Sequence, residues 1–169
     1  MKMETMYNMD KTKVVIRKAK ADDFEQVHEL LMAVHNLHVK ERGDIYKEDS
    51  PISMDAFKEE LSNINNMYLV AEKHEKIVGI CFAEIKNIAD SKIMKKRKIL
   101  NIKEISVKEN EQRQGIGKKL YEEISKWGQE QKIDSIELLV WKFNKKAIQF
   151  YESLNMEVKN IRFEQKLHK

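Results

Sequence analysis

The segment ILNIKEISVKENEQRQGIGKKLYEEISKW, residues 99–127, runs from an apolar stretch through a polar turn and two glycines into an amphipathic stretch. Ile116, Leu120, Ile124 and Trp127 recur at helical spacing and predict a helix over 115–131. Its first turn carries Gly115 and Gly117, so side chains are missing where the unbonded N–H groups of a helix start point outward. A strand, a short polar turn, glycines and a helix N-terminus together make a seat for an anion. Two common phosphate motifs are excluded. A dinucleotide fingerprint needs glycine at 120, where Leu120 stands, and a Walker A loop needs glycine at 112 and Ser or Thr at 119, where Gln112 and Lys119 stand.

Upstream, the two-residue period of a strand changes phase: Leu100 and Ile102 alternate, then Ile105 and Val107, with the break at Lys103 and Glu104. A β-bulge is the simplest cause, and it frees backbone groups that a ligand could satisfy. A sheet covered on both faces would equally make the phase meaningless.

Working outward, residues 13–19 (KVVIRKA) predict a strand, and Asp22 or Asp23 caps a helical run carrying Phe24, Val27, Leu30, Leu31, Val34 and Leu37. Ser53 reads as the N-cap of a second helix. Residues 67–73 and 77–85, joined by HEK, predict an antiparallel hairpin. Residues 135–141 predict a buried strand and 144–154 a helix with Ala147, Phe150, Tyr151 and Leu154 on one face. Residues 156–167 predict one or two closing strands. The fold class is therefore α/β (α+β), with strands, helices and no internal repeat or linker. Residues 13–169 are expected to form one domain, preceded by a poorly ordered polar segment over 1–12.

With 169 residues, 36% charged and one proline, the chain is long enough to bury roughly 70% of its unfolded surface in a single core. A formal charge of +4 is too small to argue for nucleic acid. No apolar run reaches the length of a membrane span, and the first residues lack a signal core, so neither membrane nor secretion is expected. The lone Cys81 gives no sign of an oxidising compartment, which favours the cytoplasm.

Residues 112–117, QRQGIG, resemble the Q/R-x-x-G-x-G/A motif of the GNAT superfamily of N-acetyltransferases, and the resemblance extends from about Val14 to Leu167. It includes the IKEISV strand and the later LLVWKFNKKAIQFYESLNM block. It departs at Asn155-Met156, where many relatives have Gly-Phe in a turn after the helix. The resemblance implies a single-domain, mixed, mostly antiparallel sheet of about six to seven strands flanked by about four helices, with a bulge in the fourth strand. The implied cofactor is acetyl-coenzyme A. Gln112, Arg113, Gln114, Gly115, Ile116, Gly117 and Lys118 would surround its pyrophosphate. Ile105, Ser106 and Val107 would offer main-chain hydrogen bonds to the thioester carbonyl and pantetheine arm. Asn144, Ala147 and Tyr151 would border the cofactor further along, although Asn144 also suits a plain helix N-cap.

The implied reaction is direct attack of a primary amine on the thioester, which needs a base for the ammonium proton and an acid for the departing thiolate. The resemblance gives Tyr151 as the acid, where the residues alone suggest a core aromatic beside Phe150. Glu104 is the candidate base, against a plain solvent-facing reading, and Glu84 a weaker one. His38, Arg42, Asp44 and Tyr46, with Glu84, are the implied contacts of the acceptor, a small molecule or a protein amine. His35 and His38 lie at i and i+3 without a converging ligand set, so no metal is assigned. The KKRK run at 95–98 reads as a solvated loop, with an acidic partner or the nucleotide end of coenzyme A as alternatives. A monomer or homodimer is expected. The competing functional reading is a non-catalytic acyl-coenzyme A-binding regulatory module of the same fold.

Overall fold

A computed structural model describes residues 13–167, and the expected loose segment over 1–12 lies outside them. The described residues form two compact units, one ending at Leu139 and one beginning at Val140.

The first unit is one open sheet with helices on both faces. Strands β1 (Val15–Lys18), β2 (Asn66–Lys73), β3 (Lys76–Ile88), β4 (Arg97–Val107) and β5 (Ser135–Leu138) lie in sequence order. Neighbours pair antiparallel from β1 to β4, whereas β4 and β5 pair in parallel. Helix α1 (Phe24–Arg42) and helix α2 (Met54–Ser62) link β1 to β2, and α3 (Ile116–Glu130) makes the crossover from β4 to β5. The hairpin between β2 and β3 turns through His74 and Glu75 at φ 52° and 60°, the left-handed pair whose twist matches that of the flanking strands. Ser53 caps α2 as its position predicts, accepting from the Ala56 amide at 3.2 Å.

Alternation of side chains divides the core into two layers. Leu69, Cys81, Leu100 and Ile102 meet Ile116, Leu120 and Ile124 of α3. On the opposite face Tyr68, Val70, Ile80 and Phe82 meet Val27 and Leu30 of α1 and Phe57 of α2. The sheet is thus covered on both faces, and the phase break in β4 is a bulge as well. Phe82 lies opposite Glu104 and Ala83 opposite Ile102, which leaves Lys103 as the extra residue.

Three readings of the sequence change. Asp23 does not cap α1 with its side chain; its carboxylate instead accepts from the Lys20 amide at 2.7 Å and from the Arg17 guanidinium at 2.7 and 2.8 Å. A capping carboxylate serves whichever amide the chain aims at it, and the 3-10 turn at Ala21–Asp23 aims that of Lys20. The closing strands are absent: residues 156–167 carry no strand, so the sheet has five rather than six to seven. Apolar alternation supplies a face, but a strand also needs a partner in a ladder; here Val158, Ile161, Phe163 and Leu167 stay exposed. Finally, β5 ends at Leu138 rather than at Trp141, and Leu139 is 92% exposed.

In the second unit α4 (Lys145–Ser153) starts at Asn144, whose side chain accepts from the Ala147 amide at 3.1 Å. Beyond its C-cap, Leu154, Asn155 has φ 59° and the Met156 amide returns to the Tyr151 carbonyl at 3.1 Å. Asparagine tolerates this left-handed position, which explains how it replaces the glycine of relatives in the family it resembles.

Asp23 is a buried carboxylate, 7% exposed, and its partner Arg17 also reaches Glu72 at 2.7 Å. Hydrogen bonding to Arg17 holds its carboxyl below the ordinary range. Asp23→Ala is expected to cost about 1–3 kcal/mol in urea unfolding, since it removes two charge-assisted bonds to Arg17, which keeps Glu72, and leaves the Lys20 amide without its acceptor. A depressed carboxyl contributes stability above its unfolded pKa and loses it as pH falls through the folded value. The difference between wild type and variant should therefore shrink in acid.

Candidate active site

Up to Ile102 strand β4 is held on both edges, by β3 and by β5, where Ile102 lies opposite Leu138. The parallel ladder stops there, and only β3 continues alongside, with Ile105 opposite Cys81, Ser106 opposite Ile80 and Val107 opposite Gly79. The second edge of residues 103–107 is left without a strand. An extended ligand can add to such an edge through main-chain hydrogen bonds. The Ile105 and Val107 side chains pack into the α3 layer, and the Val107 carbonyl accepts from Gln112 Nε2 at 3.0 Å.

Beyond Val107 a single 3-10 turn at Glu109–Glu111 leads into Gln112, Arg113 and Gln114, all exposed. Arg113 and Gly115 both take positive φ, 62° and 78°. A methyl group at Gly115 would meet nothing within 4 Å, so the glycine is required by its backbone angle rather than by crowding. Gly115 is the N-cap of α3, no side chain caps that end, and the helical ladder begins with the Lys119 amide on the Gly115 carbonyl at 3.0 Å. The amides of Ile116, Gly117 and Lys118 precede it, in the turn where a helix leaves its amides without an intrahelical partner. The first turn has no acidic residue but carries Lys118 and Lys119. Cations there oppose the helix dipole, a cost that a bound anion would reverse. Lys73 braces the loop from β2, donating to Glu111 at 2.7 Å and to Gln114 at 3.4 Å. The free edge of β4 running into this uncapped helix suits an extended arm joined to a pyrophosphate, a shape found in acetyl-coenzyme A.

Glu104 stands at the start of the free edge, on the α1 and α2 face of the sheet, opposite Phe82. Burial pushes its carboxyl up to about 7, against a hydrogen bond from the Ile105 amide that works to lower it. A carboxylate titrating there is poised to take a proton near neutrality. Cys81, across the sheet in the α3 layer, is buried and free, and its thiol is pushed up by burial.

Beside Glu104 lies a polar group that sequence reasoning missed. Lys103 Nζ donates to Glu60 Oε2 at 2.9 Å and lies 3.2 Å from the Tyr68 hydroxyl, which itself donates to Glu60 Oε2 at 2.5 Å. Asn66 adds a bond to the same oxygen at 2.7 Å. Burial alone would raise the Glu60 carboxyl, but these donors hold it below the ordinary range. The Tyr68 phenol is raised, mainly by burial and then by Glu60. Only the phase break around Lys103 hinted at this group.

Of the other expected residues, His38, Arg42, Asp44 and Tyr46 come together at the end of α1. His38 stacks on Tyr46 with ring centres 5.0 Å apart, and Arg42 grips Asp44 at 2.9 and 3.0 Å. His35 binds the Lys47 carbonyl at 2.8 Å and His28 the Ser50 hydroxyl at 2.9 Å, so the histidines of α1 fasten the loop that follows it. Burial, with His35 nearby, lowers the His38 pKa. Glu84 is bound instead by Asn101 at 3.1 Å and Lys86 at 2.9 Å. The KKRK run divides: Arg97 pairs with Glu137 at 3.1 Å and Lys98 donates to the Gln131 carbonyl at 2.8 Å, while Lys95 and Lys96 are exposed. It opens an eleven-residue strand whose far end leads to the glycine loop, roughly 30 Å away, too far to meet a nucleotide seated there. In the second unit, Asn144 and Ala147 form the α4 cap, and Tyr151 is half-buried with its ring 5.4 Å from that of Phe150.

No curated protein sequence matches the chain. Among solved structures, a mutant of the BH1408 protein from Bacillus halodurans is 32% identical, with 91% of this chain and 99% of that one covered at a TM-score of 0.88. An aminoglycoside acetyltransferase, meta-AAC0020, from an uncultured soil metagenomic sample shares the fold at 24% identity, TM-score 0.71, covering 92% and 97%. AAC(6')-Iy, solved with a coenzyme A bisubstrate analogue, shares it at 15% identity and TM-score 0.70, covering 92% and 99%. The family described as acetyltransferase (GNAT) family matches residues 24–156. The chain belongs to the GNAT family of acetyltransferases.

Proposed function

We propose that the protein is an N-acetyltransferase that moves the acetyl group of acetyl-coenzyme A to a primary amine by direct attack. The observation that carries this reading is the departure of β5 from β4 after Ile102, which opens a main-chain edge leading straight into the uncapped start of α3. Ile105, Ser106 and Val107 hold the extended arm through main-chain groups. The amides of residues 112–118 hold the pyrophosphate, with Lys118 adding charge. Asn144, Ala147 and Tyr151 take the cofactor-contact roles that the family resemblance assigns to their positions. Bound there, acetyl-coenzyme A supplies the acetyl group as a thioester. Glu104, directly or through water, accepts the proton of the acceptor ammonium, and the Tyr151 hydroxyl protonates the departing sulfur. His38, Arg42, Asp44 and Tyr46 border the acceptor from the α1 side, with Glu84 on the sheet.

The family match spans both units, which supports one catalytic domain over 13–169. Among the described residues no helix is long and apolar enough to cross a membrane; a cytoplasmic enzyme acting as a monomer or homodimer fits this reading. Neighbouring structures of aminoglycoside acetyltransferases, one with sisomicin, support a small-molecule amine as acceptor.

Isothermal calorimetry with acetyl-coenzyme A tests the seat. Binding should survive a chelator, because the donors are amides, and a chelator-dependent affinity would contradict that. Gly117→Val should weaken binding at least tenfold while the melting temperature moves only slightly, since a branched side chain would stand where the phosphate approaches. Equal affinity in the variant would remove Gly117 from the site.

A further inference from the structure

The bulge in β4 leaves Lys103 without a ladder position, and a long lysine side chain on a sheet surface ordinarily stays mobile because fixing it costs rotamer entropy. Here it is fixed. Its ammonium reaches Glu60 of α2 and the Tyr68 hydroxyl of β2, and it lies 5.8 Å from the centre of the Tyr68 ring. Tyr68 stacks on Phe82 with ring centres 4.0 Å apart and planes 7° from parallel, and Phe82 is the cross-strand neighbour of Glu104. The contacts close a circuit: Glu60 to Lys103, along the backbone to Glu104, across to Phe82, back through Tyr68 to Glu60. Only a bulge puts two consecutive residues, Lys103 and Glu104, on the same face of the sheet. The geometry points to Lys103 as a positioning residue, which pins the bulge to α2 and so fixes the direction of the Glu104 carboxyl.

This inference rests on Glu104 as the base, and it adds that the base is aimed by a residue outside the reacting groups. Of the charged or titratable groups, Lys103, Glu60 and Tyr68 share the face of Glu104, Glu84 lies further along β3, and Cys81 lies across the sheet. Two changes separate aim from charge. Lys103→Met removes a cation, which by itself would raise the Glu104 carboxyl; release of the bulge into water would lower it. Tyr68→Phe alters no charge at neutral pH and loosens the same tie.

The test is an NMR titration of the Glu104 side-chain carboxyl in the full chain. The wild-type midpoint should lie at about 7. Both variants should move it down by about half a unit or more, toward the ordinary carboxylate range, with Lys103→Arg restoring it. In parallel kcat should fall about threefold to thirtyfold at unchanged acetyl-coenzyme A affinity. A midpoint that stays put in both variants, or rises in Lys103→Met, overturns the proposal. The readout needs no turnover: if Glu104→Gln leaves activity intact but the midpoints still fall, the tie stands and the base lies elsewhere.

Discussion

Glu104→Gln is expected to lower kcat/KM for the acceptor amine by about a hundredfold to ten-thousandfold near neutral pH, the usual weight of a positioned general base. The wild-type rate should rise with pH through a limb near 7, because the carboxyl is pushed up to about 7 and works only once ionised. In the variant that limb disappears. The rate then climbs at higher pH, as the amine sheds its own proton before binding. Stability should move the other way. A carboxyl raised in the folded state contributes most below its unfolded pKa and loses that contribution as pH rises through the folded value. The neutral glutamine therefore removes a cost at alkaline pH and should stabilise the fold there by about 1–3 kcal/mol. A variant that loses turnover while melting higher is difficult to explain by damaged packing. An unchanged pH profile would assign the proton to another base.

Tyr151→Phe should lower kcat by about tenfold to a thousandfold with acetyl-coenzyme A affinity almost unmoved. The substitution keeps the ring beside Phe150 and most of its buried area, so a tyrosine that merely fills space would tolerate it. What is lost is the hydroxyl, whose interaction with the sulfur strengthens as negative charge develops. A thiolate leaves tolerably well even unprotonated, which argues for the lower part of the range. Near-normal kcat with normal melting would show that Tyr151 is packing and that the sulfur takes its proton from water.

How much of this could be read in advance differs between elements for physical reasons. The glycine loop and α3 were legible because Ile116, Leu120, Ile124 and Trp127 keep strict helical spacing and Gly115 needs a backbone angle that few residues accept. The bulge was half legible: the change of phase fitted a bulge and a sheet covered on both faces equally well, and only the register, which leaves Lys103 without a partner, identifies the bulge. The tie from Lys103 to Glu60 was not legible. Forty-three residues separate the pair, and each looks like an ordinary surface charge until α2 is laid over the sheet. Asp23 misled for the reverse reason: its place before a helix suited a cap, and only the fold brings Arg17 to it. Residues 156–167 alternate only in short pieces, Met156 with Val158 and Ile161 with Phe163, and alternation does not supply a ladder. The expected acceptor residues His38, Arg42, Asp44 and Tyr46 do gather, and their mutual contacts show how the loop is held.

Acetyl transfer from a cofactor laid along the open edge of β4 releases one thiol per acetyl group moved. Release of free coenzyme A thiol, followed while purified protein and acetyl-coenzyme A are offered a panel of amines including aminoglycosides, polyamines, amino acids and peptides, tests it most directly. Thiol release should depend on a particular primary amine and match its acetylation one for one. Tight binding of acetyl-coenzyme A with no release above the rate in water, whichever amine is present, would contradict it and identify the chain as an acyl-coenzyme A-binding module.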